Sequence, residues 1–137
     1  MAKIAHTIVG QEEKGQSLVE FALILPVFLI LVFGILEFGV MMMDQIHLTN
    51  AANDGARVGA VKNGTDSQAI SAASSSVGGV VSCPAGTPTA SRAGTNPVQL
   101  TVTVTCSYSP ITPIGGLLSS LVLNSGLSGT AVMRVEQ

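Results

Sequence analysis

Tryptophan is absent from this chain, and aromatic residues make up only 4% of it. That is thin material for a deep aqueous pocket, which apolar and aromatic side chains ordinarily line. Charged residues are scarce as well, at 10%, against about 25% in ordinary soluble domains. Together with a mean hydropathy of +0.54, this means that part of the chain expects lipid or protein around it. The net charge is -2, and the six basic residues, Lys3, Lys14, Arg57, Lys62, Arg92 and Arg134, are scattered. Phosphate binding needs them clustered, so a nucleic-acid partner is not expected.

Cysteine is limited to Cys83 and Cys106. Without a CxxC spacing or a nearby histidine, the pair makes no metal site. A disulfide in an oxidising compartment is one reading, and two separate buried thiols are the other. His6 and His47 are isolated. No G-x-S-x-G elbow, P-loop or dinucleotide-binding glycine pattern occurs. The sequence therefore implies no cofactor and displays no nucleophile and base set, and an enzyme is not expected.

What the chain does have is a long apolar run. Residues 1–15 read as a short leader containing Lys3, Lys14, Glu12 and Glu13. Residues 16–43 read as a transmembrane helix whose only charges are Glu20 and Glu37. A span needs about 20 residues, and residues 21–43 are enough. A cleaved secretory signal would have a shorter core and an A-x-A-like site after it, but Asp44-Gln45-Ile46-His47 follows instead. Lys3 and Lys14 before the span place the N-terminus in the cytoplasm by the positive-inside bias. Residues 44–137 then form an extracytoplasmic domain, where both cysteines meet an oxidising environment.

The helix is expected to continue beyond the membrane as far as residue 61. Small residues form two rows at spacing four, Ala51, Gly55, Gly59 and Ala52, Ala56, Ala60, where another backbone can approach closely. With Gly34, Gly39 and Glu37, they are the candidate helix-packing positions. Asn63-Gly64 supplies residues that tolerate the left-handed stop. A second helix is expected over residues 66–76, capped by Asp66. Residues 84–97, rich in Pro, Gly, Thr and Ser, read as an exposed loop.

The clearest strand follows. Val98, Leu100, Val102, Val104 and Cys106 alternate with Gln99, Thr101, Thr103, Thr105 and Ser107, which is the period-two pattern of a half-buried strand. Residues 77–83 are its candidate partner, which would bring Cys83 towards Cys106. Ile114, Leu117, Leu118, Leu121 and Val122 recur at helical spacing. Leu127, Ala131, Met133 and Val135 read as a final strand. The predicted fold is α+β: a long N-terminal transmembrane helix extending into a small antiparallel sheet domain with one or two short helices.

Two carboxylates stand out in the apolar helix, where a charge is costly and usually has a partner. Glu20 sits at its entry. Glu37 reads either as exposed at the outer boundary or as a polar contact between subunits.

The stretch Gly15-Gln16-Ser17-Leu18-Val19-Glu20-Phe21 resembles the processing site of type IV prepilins. With Pro26, Gly34-Ile35-Leu36-Glu37-Phe38-Gly39 and Asn50-Ala51-Ala52-Asn53-Asp54-Gly55-Ala56-Arg57, residues 15–60 resemble TadE-like proteins. These are pseudopilins or minor pilins of the tight-adherence (Tad/Flp) pilus system. The ending from Ala131 to Glu136 is similar more loosely. The resemblance implies a prepilin-peptidase cut between Gly15 and Gln16, with Gly15, Glu20 and Phe21 recognised by the peptidase. The cut would give Gln16 an α-amino group one helical turn from Glu20. It also implies partners among other pilus subunits and Tad assembly proteins, besides membrane lipid, and a place in assembling a type IVb-like adherence pilus. The alternative is a permanently anchored single-pass adhesin or receptor that keeps its first 15 residues.

Overall fold

The computed structural model describes residues 5–78, 80, 86–95, 97–113, 115–116 and 126–136, with side chains from Gly15 onward. A single helix, α1, runs from Ala5 to Ala60. Leucine, isoleucine, phenylalanine and alanine dominate its first part, and in an apolar medium a helix satisfies its backbone groups internally. It continues through Pro26. Its end follows from chemistry that the sequence predicts: Asn63 adopts φ 66°, and the Gly64 amide donates to the Val61 carbonyl at 2.9 Å.

The second helix, α2, spans Asp66–Ser76. Its cap is Thr65 rather than Asp66. The extended Thr65 Oγ1 accepts from the Gln68 amide, and the Gln68 side chain accepts from the Thr65 amide. This is a reciprocal capping box, and Thr65-Asp66-Ser67-Gln68 has the pattern for it.

Three strands follow among the described residues: β1 (Thr87–Ala93), β2 (Gln99–Cys106) and β3 (Leu127–Arg134). They form an antiparallel sheet in the order β1-β2-β3. β1 corrects the expected loop at residues 84–97. A proline within a run argues against a central strand, but β1 is an edge, where the N–H that Pro88 lacks is not needed. The partner expected at residues 77–83 is not the one that β2 takes. Val77 and Gly78 form a turn and Val80 is irregular, while the rest of that stretch, Cys83 included, lies outside the described residues. Of the helix expected near residues 114–122, Gly115 and Gly116 are helical, and most of the remainder also lies outside them.

Alternation sorts the sheet into two faces. Leu100, Val102, Val104 and Cys106 are buried, as are Gly129 and Ala131 on β3. Opposite them lies a face of hydroxyls, in which Thr87, Thr105 and Ser128 share one row and Thr89, Thr103 and Thr130 the next. The core joins the inner sheet face to Leu48, Ala51, Ala52 and Ala56 of α1 and to Ala69 and Ala73 of α2.

The packing is close because the facing residues are small. A Cβ on Gly55 would lie 2.7 Å from the Ala69 carbonyl oxygen and 2.9 Å from the Ala73 Cβ. One on Gly59 would lie 2.7 Å from the Ala69 Cβ. The rows containing Ala51, Gly55 and Gly59 therefore face the chain's own α2 and sheet. Gly34 and Gly39 have no such neighbours.

Candidate functional site

The helix divides into two parts. From Leu18 to Leu36 it projects large apolar side chains that nothing in the chain covers, with Leu23 at 74% exposure and Phe21 at 64%. Residues 15–60 form a helix long and apolar enough to cross a membrane, and none of its most apolar window is buried within the chain. From Glu37 onward one face turns inward. Glu37, Asp44, Leu48, Ala51, Ala52, Gly55, Ala56, Gly59 and Ala60 are buried, at the three- and four-residue spacing of one helical face.

The predicted processing residues lie together at the exposed end. Gly15, Gln16, Glu20 and Phe21 are all exposed, and no side chain crowds Gly15. The Gln16 amide nitrogen approaches a Glu20 carboxylate oxygen at 3.4 Å, one turn away. The arrangement leaves the segment open to a partner protein.

Glu37 is different from both sequence-based readings. It is 4% exposed, and its donors come from its own chain. The Tyr108 hydroxyl donates to Oε1. The Ile111 amide donates to Oε1 at 3.0 Å and the Thr112 amide to Oε2 at 3.1 Å. Gly115 closes over the carboxylate, where a Cβ would lie 2.8 Å from it and 2.7 Å from the Pro110 Cβ. Burial, the hydrogen bond to Glu37 and the charges of Glu37 and Asp44 push the Tyr108 hydroxyl well above its ordinary pKa. It therefore stays a neutral donor. The loop of residues 108–113 is thus tied to α1 at the point where the uncovered apolar segment ends. Part of the signal was visible in sequence, since a carboxylate in an apolar helix needs donors. Which residues supply them was not visible, because more than 70 positions separate the two.

A second set of contacts went unread in the sequence. Arg92 on β1 donates through Nε to Asp66 Oδ1 at 2.5 Å. Its terminal nitrogen donates to the carbonyls of Gly59 at 2.9 Å and Gly64 at 2.8 Å. A forked guanidinium suits this task, because helix ends leave carbonyls without partners. It ties the end of α1, the start of α2 and the sheet together. Farther along the helix, Gln45 Nε2 donates to the Ser128 carbonyl at 2.7 Å, and the Glu136 amide donates to the Ala60 carbonyl at 2.9 Å. These contacts fix the sheet domain along α1.

Cys106 is disulfide-bonded. The other cysteine of the chain, Cys83, lies outside the described residues. Among the described residues no group of three or more His, Cys, Asp and Glu could hold a metal ion.

No curated protein and no solved structure matches the chain. The model of one family does, over residues 15–57. That segment begins at the glycine of the exposed motif, covers the uncovered apolar helix and ends on the face packed against the domain. The match links the chain to components of the Tad pilus, as the resemblance implies, and over residues 15–57 the protein carries the sequence of the family described as TadE-like protein.

Proposed function

We propose that this protein is a pseudopilin, or minor pilin, that takes part in assembling a Tad/Flp adherence pilus. The observation that carries the reading is the coincidence of the family match with the uncovered helix, both starting at Gly15. Residues 1–15 are the leader, residues 16–43 the span and residues 44–137 the outer domain. A prepilin peptidase cuts after Gly15, recognising Gly15, Glu20 and Phe21. The new α-amino group of Gln16 then lies beside Glu20 of its own or a neighbouring helix, where each charge offsets the other's desolvation. The anchor lies in the inner membrane with the N-terminus cytoplasmic. In the assembly, Gly34 and Gly39, which have no neighbours within the chain, admit a second helix closely. The sheet domain meets other Tad proteins.

The test is the intact mass and N-terminal sequence of the protein from its native cells. A chain that starts at Gln16 is the expected result. Gly15→Leu, which places a bulky side chain at the cut, should leave only the full-length form. A wild-type chain that retains residues 1–15 would overturn the processing reading. It would favour the permanently anchored adhesin or receptor, which the unbroken helix across Gly15 suits. A permanent anchor would also be missing from sheared surface filaments.

The disulfide of Cys106 is assigned here to Cys83, the chain's other cysteine. Peptide mapping without reduction should yield a single linked Cys83–Cys106 peptide, and free Cys83 would refute the pairing.

A further inference from the structure

We propose that the loop of residues 108–113 is a second membrane contact. It would be seated in the lipid headgroup layer on the side of the sheet domain, with Ile111 as its apolar foothold. The proposal rests on the membrane anchor proposed above and adds a surface to it.

The first argument is one of height. Residues 16–36 rise about 31 Å along a helix, which matches the roughly 30 Å hydrocarbon core of a bilayer. Residues 16–43 rise about 42 Å, which matches a bilayer with its headgroup regions. The first ten residues from Glu37 onward therefore stand in the headgroup layer. The outward face of the helix agrees, since Phe38, Met42, Met43 and Ile46 remain exposed beyond Glu37. The loop is bonded to α1 at Glu37 itself. That places it at the level where the hydrocarbon ends and below the top of the apolar outward face.

The second argument is chemical. Backbone that enters a poorly hydrated layer must satisfy its polar groups internally. Here the Ile111 and Thr112 amides are held by Glu37, and the Gly115 amide by Thr112. Pro110 and Pro113 have no amide hydrogen to satisfy. Residues 108–116 contain no charged side chain. Tyr108 pairs an apolar ring with a bonded hydroxyl, the type of side chain enriched at membrane interfaces. Ile111 is 50% exposed, although it sits in a loop whose other apolar atoms are turned inward or are small. In water that exposure has no use. In the interface its burial is favourable.

The absence of tryptophan makes a direct test available. Full-length chains carrying one tryptophan each, as Ile111→Trp, Leu29→Trp and Val132→Trp, are reconstituted into phosphatidylcholine–phosphatidylglycerol vesicles. The lipids are brominated either near the headgroup or near the chain end. Leu29 lies within the span, and Val132 is exposed on the outer sheet face. Emission from Ile111→Trp should shift to the blue. Headgroup-proximal bromine should quench it at least half as much as chain-end bromine quenches Leu29→Trp, and Val132→Trp should remain unquenched. Ser109→Trp, on the same loop, is the second reporter should Ile111→Trp misfold. If Leu29→Trp is quenched while both loop reporters behave like Val132→Trp, the loop contact is wrong and the anchor stands. If all positions are quenched alike, the contact is not specific to the loop and the proposal fails. If Leu29→Trp escapes quenching, the membrane anchor itself fails and the proposal falls with it.

Discussion

Gly129→Val is expected to destabilise the outer domain by about 3 kcal/mol, at the upper end of what overpacking costs. A Cβ at this position would collide with the carbonyl group of Leu48 and the amide of Thr49. Both are backbone atoms of a helix and cannot rotate aside as a side chain would. The obstacle can be relieved only by moving α1 away from β3. That would open the contacts of Leu48, which is fully buried, and lengthen the Gln45 bond to the Ser128 carbonyl. Thermal unfolding of the full chain in detergent, followed by the β-sheet signal in far-ultraviolet circular dichroism, is the measurement. Ser128→Val, one residue earlier on the exposed face, is the control and should move stability by no more than about 0.5 kcal/mol. Equal stability of the two variants would mean that α1 and β3 are not in close contact.

Glu37→Leu is expected to cost about 3 kcal/mol, because three donors lose their acceptor together. The Tyr108 hydroxyl and the amides of Ile111 and Thr112 all converge on this carboxylate. Leucine would suit the apolar helix, so a simple hydropathy argument gives the opposite sign. Glu37→Gln keeps one acceptor oxygen but loses the charge assistance, and about 1–2 kcal/mol is expected. Tyr108→Phe should cost about 1 kcal/mol in the wild-type background and nearly nothing once Glu37→Leu is present, since contacting residues are not additive. Tyr108 is the one tyrosine in a chain without tryptophan, so its fluorescence reports locally on whether the loop is released. Unchanged stability and unchanged Tyr108 emission in Glu37→Leu would show that the loop is not held by this residue.

The pieces of this protein differ in how plainly its sequence displays them. A helix that crosses a membrane has to be apolar on all sides, so residues 21–36 announce it without reference to anything else. A half-buried strand has to alternate, and Leu100, Val102, Val104 and Cys106 do. β3 was legible for the same reason. β1 was not, because Thr-Pro-Thr-Ala-Ser-Arg-Ala lacks branched apolar residues at its inward positions. It is a strand because the edge of β2 accepts it and because Arg92 finds Asp66 and two carbonyls across the domain. The cap of α2 was misread by one position. Asp66 and Thr65 are both good caps, and the choice turned on Gln68 reaching back to the Thr65 amide.

Local composition and spacing by themselves determined the uncovered helix, its two carboxylates, the exposed motif at Gly15 and the two alternating strands, because each depends on the medium around a short segment. The tertiary structure alone decided the rest. It turned the small-residue rows of α1 inward onto α2, and it gave Glu37 to Tyr108, Ile111 and Thr112. A small residue records only that something comes close, and a carboxylate in an apolar helix records only that it needs donors. Which element comes close, and whose donors arrive, depends on the path of the chain between them, and no local pattern encodes that path.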